Sequence, residues 1–196
     1  MSVRMKRLRR RILPALVVLP LALHGGQVQG LDFEFSKNGD SYSFWGRFQV
    51  KAELGCLMDV VYGFEHISRF ASGAESVQLV EEGEDWHVVA YTYRRLLILE
   101  NQSTWRRTLD RQGQRVVFEM LTSRNNLRIL PRVLSSHGQY RIDGEGERYR
   151  LEYFQECQLE GGILRGTYME RAKREAEAFL GEFRGYVEST CGKAAS

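Results

Sequence analysis

Beyond residue 30 the chain carries three histidines, His66, His87 and His137, and three cysteines, Cys56, Cys157 and Cys191. Histidine is the side chain best placed to move a proton near neutral pH. Each of these three stands alone, without a Ser, Cys or Asp pattern around it, so each reads as a surface or structural residue, with proton transfer as the alternative. Glu65–His66 lacks the second histidine of a helical zinc-protease motif, and no G-x-S-x-G elbow is present. The cysteines form neither a Cys-x-x-Cys pair nor a Cys/His cluster, which argues against a metal or redox centre. No catalytic residue, metal ligand or cofactor is therefore assigned. Arg106, Arg107, Arg124 and Arg128 fall on or near the middle strands predicted below. Pointing inward, such an arginine could grip a carboxylate or phosphate through parallel hydrogen bonds; pointing outward, it is a solvated face. Arg94–Arg95 reads as an exposed turn. Asn101-Gln102-Ser103 matches a glycosylation sequon but lies on a predicted strand and is discounted.

The element that must position these groups is the stretch Ile163–Val187. Its apolar residues Leu164, Tyr168, Ala172, Ala176, Phe179, Leu180, Phe183 and Val187 recur in threes and fours, the signature of an amphipathic helix. Gly181 and Gly185 share a helix face, but Glu182 and Arg184 beside them exclude a membrane-packing motif. Most of the preceding chain reads as strand. Phe44–Ala52 alternates apolar and polar residues, Gly55–Val61 and Phe64–Phe70 form two short helical pieces, and Ser76–Glu81, Trp86–Tyr93, Leu96–Leu109, Val116–Thr122, Val133–Ile142 and Arg148–Leu159 follow as strands. Asp143–Glu147, DGEGE, is a hairpin loop between the last two. The expected fold is α+β: a curved seven-stranded antiparallel sheet around a long C-terminal helix, with two short helices after the first strand. A hollow is expected between sheet and helix.

The 28 basic residues include six in residues 1–30, where there is no acid, so 22 basic face 25 acidic residues in the remainder. That balance gives no basic stripe for nucleic acid, and none is expected as a partner. The basic start precedes the short apolar run Ile12–Leu23, a pattern that reads as a secretory signal peptide over residues 1–30, with an uncleaved anchor as the alternative. The expected location is periplasmic or secreted. Residues 31–42 are read as a leader, 43–191 as one domain, and 192–196 as a flexible tail.

Gln49–Phe70 (QVKAELGCLMDVVYGFEHISRF), the spacing to Val77–Tyr93 (VQLVEEGEDWHVVAYTY), His137–Ile142 (HGQYRI) and Tyr149–Cys157 (YRLEYFQEC) together resemble the START-like, or Bet v 1-like, superfamily. The resemblance spans about Ser43–Cys191. It implies the helix-grip fold and a hydrophobic small molecule or lipid as partner, with transient membrane contact. The register of Met58–Phe70 is similar to the coenzyme-Q-binding branch, while Ala71–Gly73 stands where that branch carries Pro-Trp-Cys, so the ligand class stays open between lipid, sterol-like and quinone-like molecules. Members with enzymatic tasks imply a cyclase or dehydratase as the alternative, and an interaction module without a ligand is a third. Placed on this fold, alternation assigns to the cavity wall Trp86, Val88, Ala90, Leu99, Trp105, Phe118, Met120, Tyr140, Tyr153, Tyr168, Met169, Ala172 and Phe179. The competing reading of the same residues is a solid core. In such folds the short helices support the end of the long one, which implies a Cys56–Cys191 disulfide and a free Cys157.

Overall fold

The computed structural model describes residues 30–71, 73–96, 99–125 and 130–192, the backbone alone at 94–96 and 99–100. Residues 1–29, the tail 193–196 and Arg128 lie outside the described residues. The strands are β1 (Leu31–Asn38), β2 (Ser41–Lys51), β3 (Ala74–Glu82), β4 (Trp86–Leu96), β5 (Leu99–Asp110), β6 (Arg115–Asn125), β7 (Arg132–Glu145) and β8 (Arg148–Glu160). The helices are α1 (Leu54–Tyr62), α2 (Phe64–Phe70) and α3 (Arg165–Cys191). The strands form one antiparallel sheet in the order β1-β2-β8-β7-β6-β5-β4-β3.

The sheet has eight strands rather than seven, because the stretch read as a leader is β1. Leu31, Phe33 and Phe35 alternate with Asp32 and Glu34, and their half-buried side chains pack on the core. A tight turn at Gly39–Asp40 brings β1 onto β2 residue for residue, from Leu31 opposite Phe48 to Asn38 opposite Ser41. The polar run after Phe35 belongs to this hairpin, not to an unstructured lead.

Helix α3 has 27 residues, about 40 Å by helical rise. After β8 the chain reverses at Gly161 and Gly162, whose φ angles of +64° and +82° suit glycine. A β-carbon on Gly162 would also stand 2.3 Å from the backbone nitrogen of Pro131. The helix lies chiefly on β2, with β1, α1 and α2 alongside. Met169, Ala176, Leu180, Phe183, Val187 and Cys191 form its buried stripe. Gly46 leaves the space on β2 that Leu180 fills, and Phe48 meets the Phe183 ring edge-on at 5.9 Å. Leu57, Val60, Val61, Ile67 and Phe70 carry α1 and α2 onto the same core. Each such fully buried apolar side chain contributes about 1.5–3 kcal/mol. Cys56 at the start of α1 and Cys191 at the end of α3 form a disulfide, and Cys157 is free and buried.

Candidate ligand site on the inner face of the sheet

Period two divides each strand between a face toward α3 and an outer face. On β5 the inner positions are Leu109, Arg107, Trp105 and Ser103. Through the strand register they face His87, Val89 and Tyr91 on β4 and Val116, Phe118 and Met120 on β6. The inner side of Arg107 is fixed by its guanidinium, which donates to the Val61 carbonyl in the last turn of α1 and lies 5.4 Å from the centre of the Tyr140 ring.

The inner face has two parts. Toward the C-terminal half of α3 it is packed with rings. Tyr140 meets Phe183 at 5.3 Å, Tyr153 meets Phe179 at 5.3 Å, and Phe118 lies 5.5 Å from both tyrosines. The hollow expected under the whole helix is therefore filled here by the protein's own side chains. Toward the other end, α3 stays on β1 and β2, and the inner side chains of β4 to β6 are only partly covered. Tyr91, Tyr93, Trp105 and Met120 all keep some exposure although they face inward, as do Tyr168 and Ala172 on the helix. This partly covered wall is the part of the inner face that α3 does not cross.

Polar groups line both ends of it. The Trp105 indole donates to Ser103 Oγ at 2.7 Å, and Ser103 Oγ lies 3.5 Å from the Tyr93 hydroxyl. Under the first turns of α3, Tyr153 donates to Gln155 Oε1 at 2.5 Å, Gln155 Nε2 donates to Ser136 Oγ at 2.9 Å, and Ser136 Oγ is 3.0 Å from Cys157 Sγ. Burial pushes the Cys157 thiol up and the Tyr168 hydroxyl up to about 12, so both stay protonated, neutral groups. At the α1 end, the Arg107 guanidinium lies near Tyr91 and over the Tyr140 ring, and His87 lies under the Tyr62 ring at 4.6 Å. Burial, reinforced by the neighbouring Arg107 charge, lowers the His87 pKa from 6.5 to about 4. His87 is thus neutral at physiological pH. Two buried atoms of this cluster, Arg107 Nε and His87 Nε2, have no hydrogen-bond partner among the described residues.

No family model matches the sequence, and no curated protein matches it. Solved structures do match in shape. The STAR-related lipid transfer protein of Xanthomonas axonopodis (fragment 25–204) superposes with a TM-score of 0.63 at 10% identity, over 82% of this chain and 94% of that one. The lipid transfer and protein localization domain of human StarD13 gives 0.59 at 15% identity, over 81% and 85%. The Zhui aromatase/cyclase of Streptomyces sp. R1128 gives 0.58 at 20% identity, over 78% and 99%. The chain has the START-like, Bet v 1-like helix-grip fold.

Within this helix grip, Phe118, Tyr140, Tyr153 and Met169 lie buried on the inner side, and Trp105, Met120, Tyr168, Ala172 and Phe179 lie there partly covered. Trp86, Val88 and Ala90 do not belong to the wall. They pair with Thr108, Arg106 and Thr104 on the outer face, where the Arg106 guanidinium stacks 4.6 Å from the Trp86 ring. The residues of WHVVAYTY are apolar at both parities, so alternation alone does not choose a face, and a one-residue slip reverses it. The Leu99 side chain lies outside what is described. Arg124 pairs with Gln102 on the exposed side, and His137 is exposed, 3.9 Å from Glu156. His66 bonds the Tyr186 hydroxyl through Nδ1 at 2.7 Å. Asp59, Glu65 and His66 place ligand-type atoms within 4.8 Å of one another, a grouping their separation in sequence did not announce. Tyr91, Tyr93, Ser103, Ser136, Gln155 and Cys157 were missed. For the first three the signal was available: once Trp105 is taken as inward, Ser103 and Arg107 follow by period two, and their partners on β4 follow by register.

Proposed function

We propose that the protein is an exported, non-catalytic binder or carrier of a hydrophobic small molecule, a lipid or a quinone-like compound, held between β4–β6 and α3. The observation that carries this reading is the half-covered wall of Tyr91, Tyr93, Trp105 and Met120: aromatic and thioether side chains turned inward that the helix does not seal. Burying that apolar surface under a ligand supplies about 25 cal/mol per Å² before ordering costs. Two neighbours in shape carry lipid transfer in their names, which supports the same ligand class. The basic and apolar first 30 residues, together with the Cys56–Cys191 disulfide, support export to an oxidising compartment. Ile163 and Leu164, exposed at the entry to α3, are the apolar side chains that would touch a bilayer during transfer. Native mass spectrometry of protein isolated from its own cells tests the proposal: the expected result is a reproducible adduct of lipid mass. A protein that is empty as isolated and shows no shift with added lipids or quinones overturns it.

A second reading, a cyclase- or dehydratase-type enzyme acting in the same space, is favoured by one observation. Arg107, His87, Tyr91 and Tyr140 converge at one end of the wall, where polar groups could orient a reactive chain. Unchanged turnover of every substrate after joint replacement of His87 and Arg107 removes its basis.

A further inference from the structure

Arg107 is a cation inside the core without an anion. It is 4% exposed, and among the described residues no ion pair includes it. Its neighbours are the Val61 carbonyl and the Tyr91 and Tyr140 side chains, all neutral. Those contacts hold α1 on the sheet, because a guanidinium at a helix C-terminus meets carbonyls and the negative end of the dipole. They do not use the whole fork. Nε–H is left without an acceptor, and buried donors are rarely left so. Directly opposite on β4, His87 is 5% exposed and its Nε2 is likewise unpartnered. Two adjacent orphan nitrogens beside one uncompensated positive charge describe the complement of a carboxylate, which only accepts hydrogen bonds and brings one negative charge.

The position of the pair gives the ligand its direction. Arg107 is two residues along β5 from Trp105 on the same face, and its Tyr91 partner belongs to the half-covered wall. The pair therefore adjoins the partly covered wall at its α1 end. On the far side, Tyr62 closes over His87, and beyond Tyr62 a surface groove of about 510 Å³ runs between α1 and the β5–β6 turn, with Leu54, Met58 and Leu109 among its walls. An acid head entering along the aromatic wall would reach the guanidinium past Tyr91 and leave its tail against Trp105, Met120 and Tyr168.

We infer that Arg107 and His87 form an anion subsite that selects a long-chain monocarboxylic acid, its carboxylate accepting hydrogen bonds from Arg107 Nε and from His87 Nε2 in the tautomer that carries a proton there. This rests on the proposed carrier reading and narrows it. The test compares dodecanoic acid with methyl dodecanoate, which match in chain but differ in charge, by calorimetric titration of the full mature protein at neutral pH. The acid is expected to bind at least about tenfold more tightly than the ester, the size of one charge-assisted hydrogen bond. In Arg107→Met, whose side chain fills similar space without charge, the two should bind alike, at the affinity of the ester. Arg107→Lys keeps the charge but loses Nε, and should retain part of the preference; it also serves if the methionine variant does not fold. Equal binding of acid and ester to the unaltered protein overturns the anion subsite and leaves the carrier reading standing. A preference for the acid that survives in Arg107→Met, or that Arg107→Lys keeps at full strength, also overturns the assignment to this pair. Binding of neither compound counts against the carrier reading and the subsite together.

Discussion

The neutral state of His87 makes a sharp claim about stability. The unfolded chain takes up a proton at this residue near pH 6.5, the folded chain only near 4. Between those values the unfolded state binds more protons, so stability rises with pH. The contribution is complete above pH 6.5 and is lost as pH falls from there to about 4. A gap of that width is worth about 3 kcal/mol, a large share of the 5–15 kcal/mol that typically separates a folded domain from its unfolded chain. The perturbation is acidification, and the control is His87→Gln, which stays neutral throughout. Urea unfolding at about pH 7 and about pH 4.5 gives the free energies. Other groups also titrate in acid, Asp110 and Glu170 among them, their carboxyls held below the usual range by a Gly113 backbone amide and by Lys37 respectively. They act equally in both proteins and cancel in the difference. The unaltered protein should lose about 2–3 kcal/mol more than the variant across this interval. Parallel losses in the two proteins would show that the imidazole is hydrated or charged in the fold, and the reasoning about the α1 end of the wall would fail with it.

Three further outcomes follow from the packing. Replacing Cys56 and Cys191 by alanine opens a loop of 135 residues, which should cost about 5 kcal/mol in the chain-entropy account and lower the melting temperature by on the order of 10–20 °C; identical melting with and without reductant contradicts it. Gly46→Ala puts a β-carbon 2.4 Å from Leu180 Cδ1, so overpacking should cost about 1–3 kcal/mol. Leu180→Ala in the same chain should relieve part of that cost, and strict additivity in the double-mutant cycle would disprove the contact. Gly138→Ala places its β-carbon 2.1 Å from the Phe154 carbonyl oxygen, a backbone atom held in the β7–β8 ladder, and should damage folding more than Gly46→Ala; a near-native melting curve refutes this.

The helix and the sheet were legible where one periodicity dominated. The threes and fours of Ile163–Val187 located α3, although the helix runs on to Cys191 and Leu164 serves as its N-cap. DGEGE marked the β7–β8 turn because that run has no apolar residue to bury. Reading failed where two signals overlapped. In β1 the alternation of Phe33 and Phe35 was visible, but the polar SKNGDS that follows concealed a hairpin whose second strand was already recognised. On β4 apolar residues stand at both parities, so the inner face could be decided only by its partners, Arg107 against α1 and Arg106 against Trp86. The inward polar residues Ser136 and Gln155 were invisible for a related reason: an alternating strand pattern assigns polar side chains to water, and only three-dimensional neighbours reveal that this hydroxyl and amide satisfy one another.

The bond between Cys56 and Cys191 restricts how the protein can open. It rivets the last turn of α3 to α1, and Phe183 and Val187 lie buried next to that rivet. At the opposite tip, Met169 is buried and Arg165 and Glu170 make surface ion pairs with Asp40 and Lys37, which water weakens readily. Any lifting of the rod would therefore be least at Cys191 and greatest toward Tyr168. On the proposed carrier reading, a ligand would enter and leave at the Tyr168 end, and reducing the disulfide would release the other end of the rod as well.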